Sequence, residues 1–190
     1  KSQREFSEKF SAKGCFFGVN GASGLIQSAV IAMANPGDSI LMPRNVHISV
    51  IKTCAMQNIL PIFFDLEFSS ETGHYKPITK KWLENVFKKL DFTEKKIVGV
   101  ILVSPSYHGY AGDLEPLIGL CHQKSLPVLV DEAHGSYFLF CENLNLPKSA
   151  ISSNADLVVQ SLHKSLNGLT QTAALWYKGN LVNEHNLIKS

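Results

Sequence analysis

The chain has 190 residues, enough for one sizeable domain and too few for two ordinary ones. It is 45% hydrophobic and 18% charged with a formal net charge of +2, the composition of a soluble globular protein. That balance calls for neither nucleic acid nor an anionic membrane as partner, and no run of about 18 apolar residues offers a membrane span.

The chain opens in a helix-like pattern, and the first long helix is predicted over 23–35, behind Asn20-Gly21-Ala22-Ser23-Gly24. Asn35-Pro36-Gly37-Asp38 ends it in a turn, because Pro and Gly break the preceding element. A strand over 39–42, a helix over 47–57 and a strand over 60–64 follow, and 65–77 reads as an irregular surface connection. The helix over 79–90 brings Lys80, Lys81, Lys88 and Lys89, with Lys95 and Lys96 close behind. Glu84, Asp91 and Glu94 lie among them, so this is a solvated helix face rather than an anion-binding patch. Then come a strand over 97–103, a helix over 114–124, and strands over 127–130, 157–159 and 173–177. Residues 183–190 read as the first turns of another helix.

Helix and strand in alternation argue for an α/β fold, three layers α/β/α around a mostly parallel sheet. The run over 97–103 is continuously apolar, as a strand covered on both faces must be. Ligands of such sheets gather at the carboxyl ends of the strands. Ser104, Asp131 and Ser161 all stand at such ends. There is no internal repeat and no low-complexity tract. Cys15, Cys54, Cys121 and Cys141 are widely spread without a C-x-x-C pair, so reduced thiols in a cytoplasmic protein are expected. Residues 1–6 lack the pattern of a signal peptide. With no initiator methionine, the chain is expected to be a piece of a larger protein.

Lys164 follows one apolar strand, within Ser161-Leu162-His163-Lys164-Ser165, and Asp131 ends another. A lysine past a strand is ordinarily a solvated loop residue. Its neighbours change that expectation: Ser161 and His163 can donate to a phosphate, and Gly168 and Thr170 permit close backbone approach. A lysine and an aspartate at the ends of two buried strands are what pyridoxal 5′-phosphate requires. The amine forms an imine with the cofactor aldehyde, and the carboxylate keeps the pyridine nitrogen protonated. Partial burial near other cations would lower the lysine pKa in the needed direction.

Asp131-Glu132-Ala133-His134 also matches the acidic box of nucleic-acid-dependent ATPases, but that function needs a phosphate loop upstream and no Gly-Lys dipeptide precedes it. A metal site from Asp131, Glu132 and His134 lacks a second cluster of ligands, so no metal is expected. Gly21, Ala22 and Ser23 open the first long helix, whose free N–H groups and dipole suit a phosphate; capping by Ser23 is the plainer alternative. His47 sits where a strand gives way to a helix and could stack a flat imidazole on the ring. Ser104 and Ser106 are candidates for substrate contacts.

Taken in order, Asn20-Gly21-Ala22-Ser23-Gly24, Arg44-Asn45-x-His47, Ser104-x-Ser106-Tyr107, Asp131-Glu132-Ala133-His134-Gly135 and Ser161-x-His163-Lys164-x4-Leu169-Thr170-Gln171 resemble the Orn/Lys/Arg decarboxylases. These are pyridoxal-phosphate enzymes of the aspartate-aminotransferase fold, and the resemblance runs from about Phe16 to Tyr177. It implies that Lys164 is the Schiff-base lysine, Asp131 the partner of the ring nitrogen and His47 the stacking residue. Ala133 would pack on the other ring face, His134 would lie near the ring hydroxyl, and Ser23, Ser161 and His163 would bind phosphate. Where Ala22 stands the family commonly has a hydroxyl residue, so one phosphate contact would fall to backbone N–H.

The implied activity is decarboxylation of lysine, arginine or ornithine to its amine, in amino-acid and polyamine metabolism. The implied partners are the amino-acid substrate and further copies of the chain, as a cytoplasmic homodimer or higher homo-oligomer. Residues 1–178 would be the cofactor-binding large domain, incomplete at its N-terminus, and 179–190 the start of a helix leading to a missing C-terminal domain. An aminotransferase or carbon–carbon lyase of the same fold is the alternative, and a truncated, catalytically silent remnant is a third.

Overall fold

Apolar runs fold as strands and amphipathic runs as helices, in the alternating order that the pattern predicts. The computed structural model describes residues 1–90, 92, 95–141 and 144–190; Asp91 and Glu94, counted above with the lysine-rich face, lie outside the described residues. Helix α1 (Ser2–Lys9) leads into strand β1 (Gly14–Gly18), followed by α2 (Gly21–Met33), β2 (Ser39–Pro43), α3 (Ile48–Met56) and β3 (Leu60–Phe64). A short hairpin of β4 (Phe68–Ser69) and β5 (His74–Tyr75) precedes α4 (Lys80–Lys89), β6 (Ile97–Val103), α5 (Glu115–His122) and β7 (Val128–Asp131). Then come a 3-10 turn (Ser136–Phe140), β8 (Leu157–Ser161), the single-turn α6 (Leu162–Ser165), β9 (Ala173–Tyr177) and α7 (Glu184–Lys189).

Seven strands form one sheet in the order β1-β9-β8-β7-β6-β2-β3. Strands β8, β7, β6, β2 and β3 are parallel, whereas β9 runs antiparallel to both its neighbours, β1 and β8. Side chains alternate across each strand. Val128, Val130, Val158 and Trp176 pack with Leu83 and Phe87 of α4 and with Leu117 and Cys121 of α5. Leu129, Leu157, Val159 and Leu175 pack with Ile26, Ala29 and Val30 of α2, Val50 of α3 and Leu187 of α7. The result is the expected three-layer α/β/α fold. On α4, Leu83 and Phe87 are buried one turn apart while its lysines stay exposed, as a solvated face requires.

Some boundaries differ from the pattern. Helix α2 begins at Gly21 and not at 23, because Gly21 takes the left-handed turn (φ 72°) that starts it and its N–H donates to the Gln171 carbonyl at 2.8 Å. The segment 65–77 carries the β4–β5 hairpin. Strand β1 is unmarked in the pattern because glycines stand at both its ends; pairing with β9 holds it in place. Among the described residues no helix is long and apolar enough to cross a membrane.

Candidate active site

Strand order reverses beside β2: β3 lies on one side of it, while β6, β7 and β8 continue on the other. A parallel sheet opens a crevice at the carboxyl ends of its strands at such a point. Here the crevice holds about 540 Å³ of non-atom space, open solvent included. Helix α2 contributes Ala22, Ser23 and Ile26, and the turn after β2 contributes Asn45 and His47. The end of β6 brings Val103, Pro105 and Tyr107; the ends of β7 and β8 bring Asp131, Ala133, His134 and Lys164.

Asp131 is 6% exposed, and its Oδ1 accepts the Ala133 N–H at 3.1 Å. Burial raises its pKa; the Ala133 N–H and the proximity of His47 and Lys164 act in the other direction. Glu132, the next residue, points to the opposite face of the sheet and is 0% exposed. Its carboxylate accepts the Ala150 N–H at 2.7 Å and the Gln160 amide at 2.6 Å, and the Trp176 indole N–H donates to the Gln160 Oε1 at 2.9 Å. Burial pushes the Glu132 carboxyl up to about 8. The alternation therefore separates the two acids: one faces the cavity, the other ties β7, β8 and β9 together from behind. Among the described residues no three His, Cys, Asp or Glu side chains converge as metal ligands.

Lys164 Nζ donates to His134 Nε2 at 3.1 Å, so this nitrogen carries a lone pair. Burial holds the His134 pKa below its ordinary value, and the proximity of Lys164 and His47 adds to the effect. Lys164 itself is exposed, where partial burial is the expectation from sequence. The reason is local: β8 is buried throughout as far as Ser161, and the single turn of α6 then carries the next residues out of the sheet. Tyr107, 80% exposed, lies edge-on to the His134 ring with centroids 5.7 Å apart. His47 caps α3, with Nδ1 accepting the Ser49 N–H at 3.2 Å.

The phosphate candidates are arranged less directly. Ser23 stands in the first turn of α2, and the helix has no side-chain cap, which leaves first-turn N–H groups for an anion. Ser161 is buried, with Oγ 3.4 Å from His163 Nδ1. That His163 nitrogen donates to the Thr172 carbonyl at 3.0 Å, so Nε2 is the one left for a ligand. Gly21, Ser161 and His163 flank the cavity without lining it. Ser104 and Ser106 lie outside it as well. Ser104 borders a separate cleft with Pro77 and Tyr110, and Ser106 Oγ accepts the Tyr110 N–H at 3.2 Å. Arg44 turns outward to Asp65, at 2.6 Å.

The sequence points to no role for Ile26, Val103 or Pro105, and to none for Asn45 or Tyr107 beyond their places in motifs. The Asn45 Oδ1 is buried with no hydrogen-bond partner among the described residues. Its proximity to His47 in the chain was the available signal, but an asparagine before a helix reads first as a turn residue.

The family described as Orn/Lys/Arg decarboxylase, major domain, matches residues 1–190. The arginine decarboxylase of Bacillus cereus is 39% identical over 174 residues, covering 92% of this chain and 36% of that protein. Among solved structures, the Francisella novicida lysine decarboxylase LdcF superposes with a TM-score of 0.79 at 21% identity, covering 99% of this chain and 27% of that one. The aspartate aminotransferase of Thermotoga maritima superposes with a TM-score of 0.70 at 17% identity, covering 99% of this chain and 49% of that one. These identities are too low to carry more than the fold, which is that of aspartate aminotransferase. The chain spans about a third of the length of the curated relatives it matches.

Proposed function

We propose, for a chain that belongs to the Orn/Lys/Arg decarboxylase family, that the whole protein decarboxylates a basic amino acid with pyridoxal 5′-phosphate held at Lys164. Arginine is the first candidate substrate, since the curated relatives at 36–39% identity are named arginine decarboxylase. The observation that carries the proposal is the convergence of Lys164, Asp131 and His47 on one cavity at the carboxyl edge of the sheet. Cytoplasmic location, assembly as a homo-oligomer and a place in polyamine formation belong to the same proposal and rest on the family alone.

The residues present fit the cofactor. A buried carboxylate such as Asp131 calls for a cationic partner, and a protonated pyridine nitrogen is one. The unpartnered Asn45 Oδ1 calls for a donor, and the uncapped start of α2 for an anion. Lys164 would hold the group through Nζ, with His47 on one ring face and Ala133 on the other. Ser23, the Ala22 N–H, Ser161 and His163 would take the phosphate, whereas the expected Gly21 N–H is already committed to the Gln171 carbonyl. When bound, the cofactor supplies a sink for the electron pair left behind as carbon dioxide departs.

The chain's own residues set the conditions for that chemistry. Asp131, its carboxylate oriented by the Ala133 N–H, would hold a proton at the ring nitrogen. His134 accepts a hydrogen bond from the Lys164 ammonium through Nε2 and so orients Nζ. Ile26, Val103 and Pro105 exclude water from one wall of the cavity. Orientation of the scissile bond against the ring is the main contribution such a site makes.

The test uses the full-length protein and each basic amino acid in turn. Release of amine without keto acid is the expected result, and keto acid formation would overturn it in favour of transamination. Lys164→Ala should abolish the visible absorption band of the bound cofactor; a band that persists unchanged places the lysine elsewhere.

A further inference from the structure

His47 occupies the position proposed to cover the cofactor ring, and its two nitrogens are not equivalent. Nδ1 receives two contacts from one residue: the Ser49 N–H at 3.2 Å and the Ser49 Oγ at 2.8 Å. A hydroxyl can donate or accept, but a backbone N–H can only donate. Nδ1 must therefore present its lone pair, and the freely rotating Ser49 hydroxyl turns its hydrogen to the same acceptor. A neutral imidazole with an unprotonated Nδ1 carries its proton on Nε2. Ser49 is itself fixed: it is 4% exposed, stands in the first turn of α3, and its carbonyl accepts the Thr53 hydroxyl at 2.8 Å.

We propose that Ser49 is a positioning residue that holds His47 as the neutral Nε2–H tautomer, so that the ring offers the cavity a hydrogen-bond donor and no lone pair. The inference rests on the cavity assignment above for what the donor meets. There, Nε2–H can bind an anionic oxygen, such as the carboxylate of the incoming amino acid, and cannot bind its ammonium. A helix start thus orients the substrate, because the hydrogen bond that caps α3 is the one that decides the tautomer. The other two imidazoles near the site are assigned differently, His134 accepting through Nε2 and His163 donating through Nδ1. Each of the three is set by its own neighbour.

The tautomer is measurable without cofactor. In protein carrying ¹⁵N-histidine, two-bond ¹H–¹⁵N correlation spectra at neutral pH distinguish a protonated from an unprotonated ring nitrogen, and H47N identifies the His47 signals by their loss. The native protein should show the Nε2–H pattern alone for His47. An Nδ1–H pattern, or an even mixture, would overturn the proposal directly, with no variant needed. S49A keeps the backbone N–H and removes the hydroxyl; it should bring the two ring-nitrogen shifts of His47 closer together while the other histidine signals stay in place. An S49A spectrum identical to the native one removes Ser49 from the role. Because cofactor is absent throughout, this result stands or falls separately from the Lys164→Ala absorption test.

Discussion

Asp131 and Gly168 show how closely single residues set the site. Asp131 is a buried carboxylate whose partner is the proposed ring nitrogen, and loss of one member of a buried pair costs about 3 kcal/mol or more. D131N should therefore lower kcat for amine release by on the order of 100-fold, with KM moving little; a loss under about fivefold would remove Asp131 from the role. Gly168 was read from sequence as room for a ligand, but its neighbour is protein. A Cβ there would lie 2.4 Å from Thr172 Oγ1 and 3.1 Å and 3.2 Å from the backbone of Leu162 and His163. G168A must push α6 away from its loop, since the backbone it meets cannot rotate aside. We expect a stability loss of about 1–3 kcal/mol by urea titration, with weaker cofactor retention on dialysis. Unchanged retention would mean that α6 can shift without displacing Lys164.

At the scale of elements, the ladder from Glu132 through Gln160 to Trp176 joins the ends of β7, β8 and β9 behind the cavity. Gln160 cannot flip within it, because the indole N–H only donates and so fixes Oε1 toward Trp176. Q160L would leave the indole N–H and a Glu132 oxygen buried without partners, a cost of about 3 kcal/mol in total. Chemical denaturation should show that loss, and a change within about 0.5 kcal/mol would mean that water replaces the amide. The ladder was not legible beforehand, although the period-2 alternation contains it: Glu132 adjoins Asp131 and reads as part of the same acidic motif. The strands β2, β6, β7, β8 and β9 were legible because burial on both faces leaves them almost wholly apolar. Strand β1 and the β4–β5 hairpin were not, since short edge segments depend on the strand beside them more than on their own composition. Of the site, Lys164, Asp131 and His47 were legible from their places at strand ends. The parts played by Asn45, Tyr107 and Ser49 were not, because they depend on what surrounds each side chain in the fold and not on its place in the chain.

For the whole molecule, two groups, the buried Glu132 and the half-buried His134, act on stability in opposite directions. Glu132 has a folded pKa of about 8 against an ordinary 4.5, so its contribution is full below 4.5 and is lost as pH rises toward 8. His134 has a folded pKa below the ordinary 6.5, so its contribution is present above 6.5 and is lost as pH falls through its folded value. Urea midpoints should therefore decline as pH rises from 6.5 to about 8, where Glu132 acts unopposed, and H134N should extend that decline to lower pH. Midpoints that do not fall between 6.5 and about 8 would mean that Glu132 is already ionised in the core. The alternation that puts Asp131 and Glu132 on opposite faces also gives the sheet a form of proofreading. If β7 paired one residue out of step, glutamate would enter the cavity and aspartate would meet Gln160, too short to span the gap. The same slip in β8 would exchange Ser161 for Gln160. A misthreaded chain would thus lose its core tie and its chemistry together.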